Sequence, residues 1–164
     1  VQRRSTRSKY VRHDSGYAIN IRKVRRHVAF VLRQAYAETM DVKIKRIYEP
    51  AEAADGVRVL VDRLWPRGVK KADAAIDLWA KEVTPSAELR KAWHADPEGH
   101  EPSHFAAFAE SYREELASPA ASAAVDHLIS LAKQSPRVTL LYGARNEQSN
   151  HAMVLRDEVL RRAR

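Results

Sequence analysis

Apolar and basic residues alternate over residues 42–48 (Val-Lys-Ile-Lys-Arg-Ile-Tyr), the period of two expected of a strand with one buried face. Pro50 through Gly56 interrupts that pattern. Residues 57–64 (Val-Arg-Val-Leu-Val-Asp-Arg-Leu) then form a nearly continuous, valine-rich run that suits an interior strand covered on both faces. Trp65-Pro66-Arg67-Gly68 forces a turn, because proline fixes φ and glycine permits positive φ. A third buried-strand pattern, residues 138–142, closes on Gly143. Between the second and third runs the spacing becomes helical. Residues 74–83 read as a short helix with Leu78 and Trp79 for burial. Thr84-Pro85-Ser86 supplies a hydroxyl cap and a first-turn proline for the next helix, where Leu89 and Trp93 lie one turn apart. Phe105, Phe108, Ala109, Tyr112 and Leu116 make a strong amphipathic stripe, and Ala121, Val125, Leu128 and Ala132 another, stopped by Pro136. Ser149 or Asn150 caps a last helix, with Ala152, Leu155 and Val159 inward and arginines in its final turn. Strands separated by helices predict an α/β fold: a small three-layer Rossmann-like domain with a short, mostly parallel sheet and surrounding helices.

Composition sets the limits of that picture. The chain has 164 residues, 45% hydrophobic and 30% charged, which suits one globular domain with a core of its own. It has no cysteine, which excludes disulfides, thiolate metal sites and a cysteine nucleophile. Its apolar runs are far shorter than the roughly 20 residues of a membrane span.

The net charge of +8 invites a nucleic-acid reading. Its distribution changes that. Residues 1–39 hold ten Lys/Arg and two acids, the whole excess, whereas residues 40–164 hold nineteen of each sign. The chain therefore divides into a basic leader, 1–39, and a single α/β domain, 40–164. Residues 1–20 are rich in Arg and Ser and lack hydrophobic periodicity, which reads as disorder. Over residues 21–36, Val24, Val28, Val31 and Ala35 fall at helical spacing among arginines and predict a short cationic amphipathic helix. Three readings of the leader stand open. In the first the start is placed too early and Met40 is the true first residue; in the second the leader is an arm for nucleic acid or an anionic membrane; in the third it is an organellar targeting segment. No compact apolar segment with a small-residue cleavage site follows the basic residues, so a secretory signal is not indicated.

In open α/β sheets ligands bind at the carboxyl ends of the strands. The second strand pattern ends in Asp62-Arg63-Leu64-Trp65-Pro66-Arg67-Gly68. The third ends in Tyr142-Gly143-Ala144-Arg145-Asn146 and runs through Ser149-Asn150-His151 into a helix N-terminus. If the two strands are neighbours, Arg63, Arg67, Arg145, Asn150 and His151 converge on one rim. Guanidinium forks and helix N–H groups both suit phosphate or carboxylate. The competing reading pairs these arginines with Asp62, Asp73, Asp77 and Glu147 as ordinary ion pairs. His151 and Asp62 are the candidates for proton transfer, His151 because its ordinary pKa is near neutrality. Trp65 is the candidate for stacking on a base or a flat ligand, and its bond to Pro66 is a place where a cis peptide can form.

One motif misleads. His100-Glu101-Pro102-Ser103-His104 matches H-E-x-x-H, but Pro102 cannot lie inside the continuous helix that such a zinc site needs. The expectation here is a solvated loop opening the Phe105 helix, with no metal. No P-loop, G-x-G-x-x-G or G-x-S-x-G is present, and no cofactor is indicated.

Lys43 through Tyr48, the block Arg58-Val-Leu-Val-Asp-Arg-Leu-Trp-Pro-Arg-Gly68, Pro85-Ser86 with Leu89-Arg90 and Trp93, and Leu140-Leu-Tyr-Gly-Ala-Arg145 with Asn150-His151-Ala152 and Leu155 occur in this order. Together they resemble the domain of unknown function 488 family, in its YeaO-like branch, over nearly all of residues 41–162. The V-D-R-L-W-P-R-G block is the most specific piece. The resemblance implies a small cytoplasmic α/β protein of bacteria or archaea and carries over motif positions that include Asp62, Arg63, Trp65, Pro66, Arg67, Arg90, Arg145, Asn150 and His151, but it lends no reaction. Broader members resemble a strand–helix–strand at the start. Here only residues 49–56 join the first two strands, which leaves their relative direction open.

The function expected is binding of a phosphate-bearing small molecule at this rim, as an enzyme or as a simple binder. The alternatives are a nucleic-acid module using the same arginines and Trp65, or a protein-interaction domain without a ligand.

Overall fold

The structure, a computed structural model, describes residues 10–12, 18–20, 24–27 and 40–164, which fall into two units, Val1–Thr39 and Met40–Arg164. In the first unit, β1 (Tyr10–Arg12) pairs antiparallel with β2 (Ala18–Asn20), Val11 opposite Ile19, and residues 24–27 are helical. Three-residue strands give no run long enough for a period to be read, so the sequence pattern holds no sign of this ribbon. The rest of the helix expected over residues 21–36 lies outside the described residues.

The second unit is built on four parallel strands: β3 (Val42–Arg46), β4 (Val57–Leu60), β5 (Leu78–Trp79) and β6 (Val138–Tyr142), in the order β3-β6-β4-β5. Val138 pairs with both Val42 and Val57, so β6 lies between the first two strands and every residue of it is buried. The question left by the short β3–β4 connection is thereby answered. The strands run parallel, but they are not neighbours, and residues 47–56 cross β6 without an α-helix.

The register sorts side chains onto two faces. Val42, Ile44, Val57, Val59, Leu78, Val138, Leu140 and Tyr142 face one way. They pack against α1 (Ala87–Ala95), α2 (Pro102–Leu116), α3 (Pro119–Gln134) and α4 (His151–Ala163), whose inward residues include Trp93, Phe108, Tyr112, Leu116, Val125, Leu128 and Leu155. Leu60, Leu141 and Trp79 face the other way, toward Ala74, Trp65, Val69 and Ile76. The three layers are therefore helices, sheet, and a layer of connections in place of further helices. Among the described residues no helix is long and apolar enough to cross a membrane.

The connection layer is held by charge. Asp55, in a short 3-10 turn, accepts hydrogen bonds from Lys45 Nζ and Arg58 Nη1, and its backbone carbonyl accepts from Thr139 Oγ1. Burial pushes the Asp55 carboxyl up, but hydrogen bonds from Lys45, the Glu52 N–H and Arg58 outweigh it and leave the group below its ordinary range. Arg58 also donates to the carbonyls of Ala74 and Ala75.

Residues 74–83 depart from the expected helix. Ala75 takes a positive φ of 46°, Asp77 exchanges two hydrogen bonds with the backbone of Arg58, and Leu78–Trp79 pairs as an edge strand before a 3-10 turn at Lys81–Val83. Pairing with β4 overrides the local helical preference of an alanine-rich segment. The cap of α1 is Ser86, whose Oγ accepts from Leu89 N, while Thr84 donates its hydroxyl to Lys81 O. The Trp65–Pro66 peptide is trans.

Candidate functional site

The carboxyl ends of β4 and β6 open onto a cavity of about 550 Å³. Asp62, Arg63, Trp65 and Arg67 reach it from the turn after β4, Gly143, Ala144 and Arg145 from the turn after β6, and His151 from the first turn of α4. Those two turns come together because β4 and β6 are hydrogen-bonded neighbours in parallel.

Asp62 and Gly143 join the turns. Asp62 Oδ2 accepts from the Gly143 N–H at 2.7 Å, and Oδ1 lies 3.2 Å from His151 Nε2. A Cβ at Gly143 would lie 2.8 Å from Asp62 Oδ2, so only glycine lets the carboxylate sit this close. His151 Nε2 is also 3.0 Å from the Val61 carbonyl oxygen. A carbonyl only accepts, so Nε2 carries the hydrogen in this contact. Nδ1 has no hydrogen-bond partner among the described residues.

Both turns are braced from outside the cavity. Trp79 Nε1 donates to Asp62 O at 2.7 Å, and Trp65 Nε1 donates to Val69 O at 2.7 Å while its ring meets Trp79 edge-on at 5.3 Å. Trp65 therefore lines the cavity as an anchored wall of its own loop, with its indole N–H engaged, rather than as a free stacking platform. Gly68, at φ 77°, permits the turn. Arg46 Nε donates to Ala144 O at 3.1 Å and props the second turn.

Asn150 stands apart from the predicted set. It is wholly buried and does not line the cavity. Its Oδ1 caps α4 by accepting from Met153 N, and its Nδ2 donates to the carbonyls of Asn146 and Glu147. All its polar atoms serve to close the loop that presents Arg145. Asparagine is a favoured helix cap, and that is the role its position before an apolar stripe signalled.

A second wall comes from α1. Arg90, Trp93 and His94 lie at i, i+3 and i+4 and all face the cavity, beside Thr84 and Pro85. The helix is fixed by its Ser86 cap, by Ser86 N donating to Glu115 Oε2 at 2.8 Å, and by Trp93 stacked on Phe108 at 4.2 Å. Tyr48 contributes from the end of β3, half exposed, with the Arg46 guanidinium over its ring. Arg90 was legible as a motif position, but its presence in the site follows from the packing of α1 on α2, which no local pattern encodes.

The charge of the cavity is lopsided. Arg63, Arg67, Arg90 and Arg145 have no ion-pair or hydrogen-bond partner for their side chains among the described residues. Asp62, the one carboxylate in the lining, is engaged by Gly143 and His151, and Asp77 by the Arg58 N–H. Ordinary ion pairing thus leaves these four guanidiniums open. Of the other eight arginines of the domain, Arg46, Arg58, Arg137, Arg156, Arg161 and Arg162 each bond a carboxylate or a carbonyl, while Arg113 and Arg164 lie outside the cavity and have no such partner among the described residues.

The H-E-x-x-H segment lies elsewhere. Pro102 begins α2, His100 precedes the helix, and His104 Nδ1 meets Asp96 Oδ2 at 2.7 Å. The Asp96 hydrogen bond holds the His104 pKa above its ordinary value and the Asp96 carboxyl below its own.

A family model described as the inactive DUF488-N3 subclade matches residues 41–164. The chain belongs to this family. The uncharacterized protein YeaO of Escherichia coli strain K12 is 51% identical over 118 residues, which are 72% of this chain and 96% of YeaO. The uncharacterized protein Rv3073c of Mycobacterium tuberculosis strain H37Rv is 42% identical over 114 residues, 70% of this chain and 89% of the relative. No solved structure matches the chain. Within the DUF488-N3 match lie both strand-end turns, the α1 wall and the start of α4, so the whole cavity belongs to the shared domain.

Proposed function

We propose that the domain binds a phosphate-bearing small molecule in this cavity. The observation that carries the reading is four guanidiniums without protein partners among the described residues, lining one space whose one carboxylate is engaged by Gly143 and His151. Its volume of about 550 Å³ falls in the small-molecule range of about 300–1,000 Å³. Arginine forks hold phosphate oxygens two at a time, and the first turn of α4 adds a positive dipole end.

His151 and Asp62 serve this reading as a brace that sets the rim. A binding role without turnover agrees with the word inactive in the description of the subclade. Trp65, on which the nucleic-acid alternative relied for stacking, is held by Val69 and Trp79 and lends that alternative no support. The reading includes a cytoplasmic setting, where phosphorylated small molecules are abundant.

The test is a thermal melting screen of the full chain against phosphate-bearing metabolites, beside Arg145→Ala. A ligand is expected to raise the melting temperature of the wild type and not that of Arg145→Ala. The unliganded stabilities should agree within about 0.5 kcal/mol, because Arg145 is an exposed surface residue. Equal ligand-induced shifts in both proteins refute the reading.

A further inference from the structure

The four guanidiniums do not lie on one element. Arg63, Arg67 and Arg145 stand on the two strand-end turns, and Arg90 stands on α1, in the wall that Thr84, Pro85, Trp93 and His94 complete. Arg90 is half-buried, yet neither a carboxylate nor a carbonyl meets its side chain among the described residues. No buried side-chain nitrogen lacks a partner among the described residues, so this guanidinium is open to solvent and makes a charge-assisted bond with an anion that comes within its reach.

Charge balance fixes how much anion the cavity calls for. Four guanidiniums against one carboxylate leave three positive charges uncompensated with both histidines neutral. One phosphate monoester carries about −1.5 to −2 at pH 7 and leaves at least one guanidinium unmatched. Two phosphoryl groups carry roughly twice that and match the excess. From these two observations, and resting on the anion-site reading above, we infer that the cavity takes a diphosphate, one phosphoryl group held by Arg63, Arg67 and Arg145 at the strand ends and the second by Arg90 of α1.

The assignment gives α1 a purpose beyond packing. The Ser86 cap and the Glu115 contact fix the first turn of the helix, and Trp93 seated on Phe108 fixes its rotation, so the same groups that build the core set the place of Arg90 in the cavity wall. An aliphatic diphosphate ester and inorganic pyrophosphate share the chemistry that this pair of subsites reads.

Titration calorimetry on the full chain at fixed pH and roughly physiological ionic strength, with inorganic pyrophosphate and orthophosphate as probes, tests this. The wild type is expected to bind pyrophosphate about tenfold or more tighter than orthophosphate, the factor that one charge-assisted hydrogen bond supplies. Arg90→Gln should abolish most of that preference, lowering pyrophosphate affinity several-fold more than orthophosphate affinity, while Arg90→Lys retains part of it. The basic leader is the same in every variant, so a difference among variants belongs to the cavity. Unliganded melting of both variants checks that the fold is intact. Equal affinities for the two probes in the wild type overturn the diphosphate assignment and leave the single-anion site standing. A pyrophosphate preference that survives Arg90→Gln overturns the role given to Arg90. Failure of both probes to bind overturns the anion site and this inference together.

Discussion

Two groups of arginine in one domain behave in opposite ways. Under the β3–β4 crossover, Arg58 is buried and finds a carboxylate and two carbonyls, while Lys45 supports the same carboxylate from β3. At the strand ends Arg63, Arg67, Arg90 and Arg145 share a cavity and find no acceptor among the described residues. Side-chain chemistry is identical in the two places, so the difference lies in the acceptors the fold supplies. Where the backbone closes around a guanidinium the residue belongs to the architecture; where it leaves the N–H groups open, the acceptor has to come from solution.

Three perturbations sharpen that contrast. The largest effect is expected at the closed group. Arg58→Met strips a guanidinium from the buried Asp55 and should cost about 3–5 kcal/mol in urea unfolding, the range for breaking a buried pair by removing one member. A loss below 1 kcal/mol would show that Lys45 alone satisfies Asp55 and that the closed group is redundant.

A second closed group responds to acid. Glu158 is buried on α4. Hydrogen bonds from Arg161, and then from Arg162, hold its pKa down to about 2 against the pull of burial. The unfolded chain takes up this proton near pH 4.5, while the folded chain resists until about 2. The stabilisation is therefore full above pH 4.5 and fades as pH falls toward 2, at most about 3 kcal/mol. Unfolding midpoints measured across that window should drop more steeply for the wild type than for Glu158→Gln; parallel curves contradict the assignment.

The smallest of the three touches the open group. Gly143→Ala places a methyl 2.8 Å from Asp62 Oδ2 and forces the carboxylate away from His151. It should cost about 1–3 kcal/mol. It should also weaken phosphate binding through the displaced turns, although it removes no charge. Calorimetric affinity unchanged in this variant would mean that the Asp62 brace is irrelevant to the cavity.

Much of this was legible in sequence. The valine-rich runs, the stripe from Phe105 to Leu116 and the Asn150 cap are local patterns, and each appears as an element with its inward residues buried. The convergence of Asp62, Arg63, Arg67, Arg145 and His151 followed from one topological premise, that β4 and β6 are neighbours, and the sheet order supplies it. What escaped depended on contacts distant in sequence. Leu78–Trp79 is extended because β4 offers an edge, Arg90 enters the cavity because α1 leans on α2, and Trp65 is anchored to its own loop by Val69 and meets Trp79 edge-on. Asn150 was placed on the rim because an amide beside a helix start suits a ligand as well as a cap, and only the burial of all its polar atoms separates the two roles.

The sheet order has a consequence for how the polypeptide emerges from the ribosome. β6, flanked on both sides, is synthesised after both its partners, so β3 waits for about ninety intervening residues, and the β6 edge of β4 for nearly eighty, although β4 meets β5 earlier. Biogenesis must carry the apolar face of β3 and the open edge of β4 until that strand arrives. Assembly is then a late, nearly simultaneous event, slower than for a fold whose neighbours in space are neighbours in sequence.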